Sequence, residues 1–211
     1  MTGRIVIDLF STLDGVQQAP GGPDEDREGG FAFGGWQAPL LDDVAGAQVW
    51  EGIDRMDALL LGRKTYDIFA AYWPAQRDGS DSPIARKLDE VPKYVASRAG
   101  VDLSCRGSHL LDADLATAVA GLREKHEEVH VIGSIDLSRS LVREGLFDVL
   151  NLWVHPVVLG AGKRLFPAEG PPIGLRLLEP PVASEKGTVL LRFGPGQEVR
   201  TGDMGAPDRG L

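Results

Sequence analysis

Two cations and a hydroxyl stand at the mouth of an apolar run: Ala58 to Leu61 give way without a break to Gly62, Arg63, Lys64 and Thr65. Residues 57–61 read as a short buried strand. Tyr66, Phe69, Ala70 and Trp73 then fall on one face at helical spacing, so the glycine, the cations and the hydroxyl open a helix. Unpaired N–H groups and the helix dipole both favour negative charge at such a start, which makes it an anion site. Two other strand ends carry comparable chemistry. Ser97 and Arg98 close "KYVAS" (93–97), and Gly133, Ser134 and Ile135 follow the run that begins at Val129. Taken alone, Arg63 and Lys64 suit an ordinary solvated helix start. Three such turns together suit a ligand carrying several phosphates, since open α/β sheets bind ligands outside the carboxyl ends of their strands.

The elements that must position these turns are legible by period. Residues 4–10 form a first apolar strand, and 15–36 a long Gly/Pro-rich loop, read as a lid or an insertion. Leu41, Ala45, Val49, Ile53 and Met56 mark a helix. Ser82-Pro83 caps another, whose stripe is Ile84, Leu88 and Val91. "HLL" (109–111) is a very short strand, and Asp112 or Asp114 caps a helix with Leu115, Val119 and Leu122 inward. Leu137 and Leu141 carry the next helix, stopped by Gly145 in a left-handed cap. "VLNLWVHPVVLG" (149–160) reads as one long strand holding Pro156 at an edge or bulge. "LRLLEPPVAS" and "TVLLRFG" close the chain as a hairpin. Helices alternate with strands up to residue 145 and strands follow one another afterwards. That pattern predicts a single α/β domain over 1–194, with a mostly parallel sheet, an antiparallel C-terminal end, helices on both faces, and a polar tail over 195–211.

Composition excludes several function classes. The chain has 211 residues, 43% hydrophobic and 25% charged, with a formal net charge of -9. That balance is wrong for a general nucleic-acid binder. No apolar run is long enough to span a bilayer, and the N-terminus lacks a secretory signal, so a cytoplasmic protein without a membrane partner is expected. Cys105 is the single cysteine and the four histidines are scattered, so no metal site is expected. Tyr72, Trp73 and Pro74 suit either a flat-ring pocket or core, the latter being commoner for aromatics at helical spacing.

The series "LLLGRKTY", "KYVASR" and "VIGSIDLSRSLVREGLFDVLNLWVHPVVLGAGKRLF" resembles the dihydrofolate reductase-like superfamily, above all the reductase domains of riboflavin biosynthesis and their stand-alone cousins. The resemblance spans residues 4–193. It implies a sheet of about eight strands and NADPH as hydride donor. It also implies that Gly62, Arg63, Lys64 and Thr65 form the first cofactor turn. Ser97 and Arg98 receive the adenosine 2′-phosphate, and Gly133, Ser134 and Ile135 lie beneath the pyrophosphate. Ser134 stands where the family carries a second glycine. The loop 158–166, with Gly160, is read as shaping the pocket. The single cysteine excludes the zinc deaminase activity often fused to such reductases.

Reduction of an imine or carbonyl also needs a proton. Asp14, in "STLDG", is a candidate, although Val16 replaces the lysine these enzymes carry. Trp36 and Pro39 match the Trp-x-x-Pro of dihydrofolate reductases, but Leu41 occupies the position of their acid. Asp42 and Asp43 come one and two residues later, rotated by about 100° each on a helix, so dihydrofolate itself is not the expected substrate. Helix capping and a part in the site weigh equally for that pair. The expected activity is NADPH-dependent reduction of a pyrimidine- or pterin-like heterocycle, with 5-amino-6-(5-phosphoribosylamino)uracil reduction the closest inherited reaction. The alternative is a non-catalytic nucleotide-, flavin- or folate-binding protein. A homodimer through the C-terminal strands, with Trp153 against its own copy, is expected from the apolar length of 149–160.

Overall fold

Ile5, Val6, Ile7 and Leu9 make β1 (Arg4–Thr12) a buried axis, paired in parallel with β5 (Glu128–Ile132) on one side and β6 (Val149–His155) on the other. The computed structural model describes residues 2–79, 82–111 and 114–203. Its remaining strands are β2 (Ala58–Gly62), β3 (Lys93–Ala96), β4 (Ser108–Leu110), β7 (Leu175–Leu177), β8 (Val182–Ala183) and β9 (Val189–Pro195). They form one sheet in the order β4-β3-β2-β5-β1-β6-β9-β7, with β8 also paired to β9. Pairings from β4 across to β6 are parallel and those of β9 antiparallel, as the alternation of elements predicts.

Among the described residues, five α-helices cover the two faces: α1 (Asp43–Arg55), α2 (Arg63–Gly79), α3 (Pro83–Glu90), α4 (Leu115–Lys125) and α5 (Ile135–Arg143). Strand side chains alternate between faces. Leu59 and Leu61 therefore pack with Ile53 of α1, Tyr66 of α2 and Leu88 of α3, while Leu60 packs with Val119 and Leu122 of α4 and Leu141 of α5. Caps fall where the sequence places them. The Ser82 and Asp114 side chains accept N–H groups of Ala85 and Thr117. Asp112 lies outside the described residues. Gly145 (φ 67°) ends α5, with Leu146 N–H on Leu141 O at 2.8 Å, the bond of a glycine-stopped helix. Among the described residues, no helix is long and apolar enough to cross a membrane.

Several local expectations are corrected. Leu41 precedes α1 and is 46% exposed, because Asp42 takes the cap and the helix starts after it. Strand β6 ends at His155 rather than running to 160, since Pro156 has no N–H for a ladder. "LRLLEPPVAS" splits at Pro180-Pro181 into β7 and β8, both on β9. Strand β6 lies between β1 and β9, not at an edge, and Trp153 is 4% exposed, packed against Phe10 at 5.3 Å between centroids. The apolar length of β6 is thus covered within its own chain.

Candidate active site

β2 and β5 are neighbours whose outgoing connections diverge. From β2 the chain passes through α2 and α3 to β3 on one side; from β5 it passes through α5 to β6 on the other. Right-handed crossovers place α2 and α5 on opposite faces, and the gap between the carboxyl ends of β2 and β5 becomes the switch point where such sheets take ligands. The turns Gly62-Arg63-Lys64-Thr65 and Gly133-Ser134-Ile135 are brought together there. Ser97 and Arg98 follow β3, the next strand over.

The two central turns are bonded to each other. Gly62 N–H donates to Ser134 Oγ at 2.9 Å, and Ser134 N–H donates to Thr65 Oγ1 at 3.0 Å. Gly133 (φ 62°) and Ser134 (φ 53°) are both left-handed. A Cβ on Gly133 would meet nothing closer than Thr65 Cγ2 at 3.7 Å, so glycine is needed there for its φ rather than for space. Ser134 makes no side-chain cap, and α5 begins at Ile135 with its first N–H groups left for another acceptor.

Two lysines near the switch point are held by the loop 15–36. Lys64 Nζ bonds Glu28 Oε2, and Lys163 Nζ reaches the same carboxylate at 2.6 Å and bonds Asp26. Lys163 and Lys64 hold the Glu28 carboxyl down at about 2. Arg63 lies 3.5 Å from Asp67, one helical turn on. Ser97 Oγ donates to Gly100 O at 2.7 Å, and Arg98 is exposed. The loop is also sewn to residues 158–166: Lys163 N–H donates to Gln18 Oε1 and Leu165 N–H to Gln17 Oε1 at 2.6 Å. Trp36 closes it, its Nε1–H on Gln18 O at 2.8 Å and its ring edge-on to His155 at 5.2 Å.

The three candidate acids are separated by their environments. Asp14 accepts from Thr12 Oγ1 at 2.6 Å, from the N–H groups of Leu159 and Gly160, and from Arg164. The Thr12 hydroxyl is the strongest influence in holding its carboxyl at about 2, which makes it a clamp on the 158–166 loop and a poor proton donor near neutrality. Asp42 caps α1 through Ala45 N–H at 2.9 Å and ties Lys186 N–H at 2.8 Å, so the capping reading is the one its bonds express. Those two N–H groups lower its pKa. Asp43 is exposed in the first turn of α1.

A second polar group, unread in the sequence, crosses the sheet. His130, 1% exposed, sits 2.6 Å from Asp8 Oδ2 through Nδ1 and 3.0 Å from Glu128 Oε1 through Nε2. Asn151 Nδ2–H donates to the other Asp8 oxygen at 2.8 Å, and Arg4 and Arg55 hold Glu128. Burial opposes the imidazolium, but the two carboxylates outweigh it and raise His130 to about 9. The Asp8 carbonyl also accepts Gly133 N–H at 3.1 Å, so the network anchors the second turn. Its one sequence signal was polar residues at alternate positions inside apolar strands, "IVIDLF" and "EVHVI".

This geometry belongs with a definite family. The RibD C-terminal domain model matches residues 4–186. The chain belongs to the RibD C-terminal domain family. An uncharacterized protein of Bacillus subtilis (strain 168), YyaP, is 27% identical over 164 residues, covering 77% of this chain and 80% of that one. A putative riboflavin biosynthesis protein from Shewanella sp. PV-4 superposes with a TM-score of 0.69 at 18% identity, over 92% of this chain and 99% of that one. Dihydrofolate reductase from Enterococcus faecalis, complexed with NADP(H), gives 0.57 at 15% identity over 93% and 99%. These likenesses establish a dihydrofolate reductase-like α/β domain, the expected fold class.

Proposed function

We propose that the chain is an NADPH-dependent reductase of a pyrimidine- or pterin-like heterocycle, acting in the cytoplasm. The observation that carries this is the pair of glycine turns bonded to each other at the β2/β5 switch point, in a member of the RibD C-terminal domain family. The residues fit a dinucleotide: the start of α5 has no side-chain cap, and Arg63, Lys64 and Arg98 supply cations from neighbouring strand ends. NADPH would supply the hydride. Gly62 to Thr65 and Gly133 to Ile135 would hold its pyrophosphate, and Ser97 and Arg98 its 2′-phosphate. An arginine suits that phosphate because its planar fork binds through two hydrogen bonds.

A fold relative from Thermotoga maritima is described as a diaminohydroxyphosphoribosylaminopyrimidine deaminase/5-amino-6-(5-phosphoribosylamino)uracil reductase, and this chain covers 57% of it. Reduction of that class of substrate is the closest reaction for this chain. Val16, fully buried, offers no cation to a substrate phosphate, which favours a heterocycle without one. Trp36 and Gly160 would border the substrate, Asp42 would fix the start of α1 beside it, and Asp43 or an ordered water would deliver the proton. Calorimetry tests the cofactor. Arg98→Ala should weaken NADPH about tenfold or more and leave NADH unchanged; equal losses for both would overturn the assignment.

A non-catalytic binding protein is the second reading. It is favoured by Ser134 and Thr65, which consume two N–H and hydroxyl groups that could face a phosphate. NADPH oxidation with a panel of pyrimidine and pterin acceptors separates the two. A homodimer through the C-terminal strands is part of the proposal, its apolar surface now Leu177 and Leu178 beside the edge strand β7 (44% and 38% exposed) rather than Trp153. A 22.6 kDa species in sedimentation at micromolar concentration would remove it.

A further inference from the structure

A cavity of about 260 Å³ lies between α2, α3 and the segment before β4, and the proposed reductase chemistry uses none of it. Arg63 to Thr65 and the β5–α5 turn contribute nothing to its lining. One wall is aromatic. Phe69 and Trp73 meet edge-to-face at 6.0 Å on the inner side of α2, with Tyr66 one turn before. The other wall is cationic. Among the described lining residues, Arg77 pairs Asp89 at 3.0 Å, and Lys93 and Arg106 stand beside that pair. In a chain with a net charge of -9, an excess of cations around one cavity is a local exception.

Lys93 gives that wall a directed donor. It is 6% exposed, and its Nζ bonds the carbonyls of Asp89 at 2.7 Å and Arg106 at 3.3 Å. An ammonium has three N–H groups, so two carbonyls leave one. A buried ammonium solvated by two neutral carbonyls is an expensive arrangement that an anion would complete. Burial pushes the Lys93 pKa down even against the pull of the Asp89 charge. The volume falls just below the roughly 300 Å³ at which pockets for drug-sized ligands begin, which limits the occupant to one or two rings.

We propose that this cavity is a second small-molecule site, taking a flat aromatic carboxylate of one or two rings, with its ring against Phe69 and Trp73 and its carboxylate toward Lys93 and Arg106. The carboxylate is favoured over a neutral aromatic by Lys93 and Arg106, the two lining cations beside the Arg77–Asp89 pair, and over a bare inorganic anion by the aromatic half of the lining. The site is independent of the cofactor reading, because it shares no residue with the nucleotide turns.

The closing experiment uses 1-naphthoate, with neutral 1-naphthamide as control, on the full chain. Cys105, the only cysteine, lines the cavity and serves as a local reporter through its alkylation by iodoacetamide. Saturating 1-naphthoate should slow that alkylation at least fivefold, and 1-naphthamide should bind at least tenfold more weakly by calorimetry. Arg106→Gln, at an exposed position, and Lys93→Met should each weaken 1-naphthoate severalfold, and Trp73→Leu should weaken both compounds. Because Lys93→Met removes a buried group and is at risk of unfolding, Arg106→Gln decides alone if that variant does not fold. Equal affinity for the two compounds, or unchanged Cys105 alkylation at saturation, would overturn the proposal. So would full displacement of 1-naphthoate by NADPH, which would place the ligand at the switch point instead.

Discussion

Ser134 Oγ accepts the backbone N–H of Gly62 at 2.9 Å, across the switch point from a left-handed backbone at φ 53°. A non-glycine residue there costs about 1–2 kcal/mol, and a net hydrogen bond of this kind returns about 0.5–1.5 kcal/mol. Ser134→Gly should therefore change stability by less than about 1 kcal/mol, while freeing Gly62 N–H for a phosphate and tightening NADPH severalfold. Ser134→Ala keeps the strain and orphans the donor, and should destabilise by about 1–2 kcal/mol. Urea denaturation and calorimetry on the two variants read both effects; unchanged NADPH affinity in the glycine variant would show that this N–H never faces the cofactor.

Glu28 competes with any phosphate for Lys64, since its carboxylate bridges Lys64 and Lys163. Glu28→Gln should raise NADPH affinity severalfold at low ionic strength. The gain should vanish in 0.5 M salt, where the Debye length falls to a few ångströms (~4 Å). A salt-independent gain would point to loop opening rather than charge competition.

Asp14 is expected to behave as a clamp. Asp14→Asn puts an amide donor where N–H groups and Arg164 already point, and should cost about 1–3 kcal/mol in urea denaturation. Once an acceptor substrate is found, kcat in the variant should keep the wild-type pH profile between pH 6 and 8. Disappearance of an acid limb would restore Asp14 as the proton donor.

His130 makes stability fall at alkaline pH. Its folded pKa, about 9, lies above the ordinary 6.5, so its contribution is complete below pH 6.5 and is lost as pH rises through about 9. Glu128, lowered to about 2, acts in the opposite sense: its contribution is present above the ordinary 4.5 and is lost as pH falls through about 2. The network is therefore strongest between about pH 4.5 and 6.5. From pH 6 to pH 10 the wild type should lose on the order of 3 kcal/mol of unfolding free energy through this group. The groups facing it are Asp8 from β1, Glu128 from β5, Asn151 from β6 and, through Glu128, Arg4 and Arg55. His130→Gln should flatten the alkaline slope, and an unaltered slope would assign it to other groups.

Local chemistry is what the sequence by itself determined. The period of Tyr66, Phe69 and Trp73, the Ser82-Pro83 cap and the Gly145 stop depend on neighbours within a turn or two, and each appears where its residues require it. The parallel sheet also followed, because alternating helices and strands leave few right-handed ways to connect them. The glycine turns at the ends of β2 and β5 were legible for the same reason, because a strand, a glycine and a helix start are local features. What each charge finally faces depends on residues far away in the chain, and only the tertiary structure decided that. Lys64 meets Glu28 from 36 positions before it, Asp14 meets Gly160 from 146 after, and His130 meets Asp8 across 122. Proline broke the runs that hydrophobicity alone would extend, at Pro156 and at Pro180-Pro181, because a ladder needs an N–H that proline lacks. Burial of Trp153 was likewise set by the tertiary fold: β6 is paired along both edges, by β1 and β9, and Trp153 packs against Phe10.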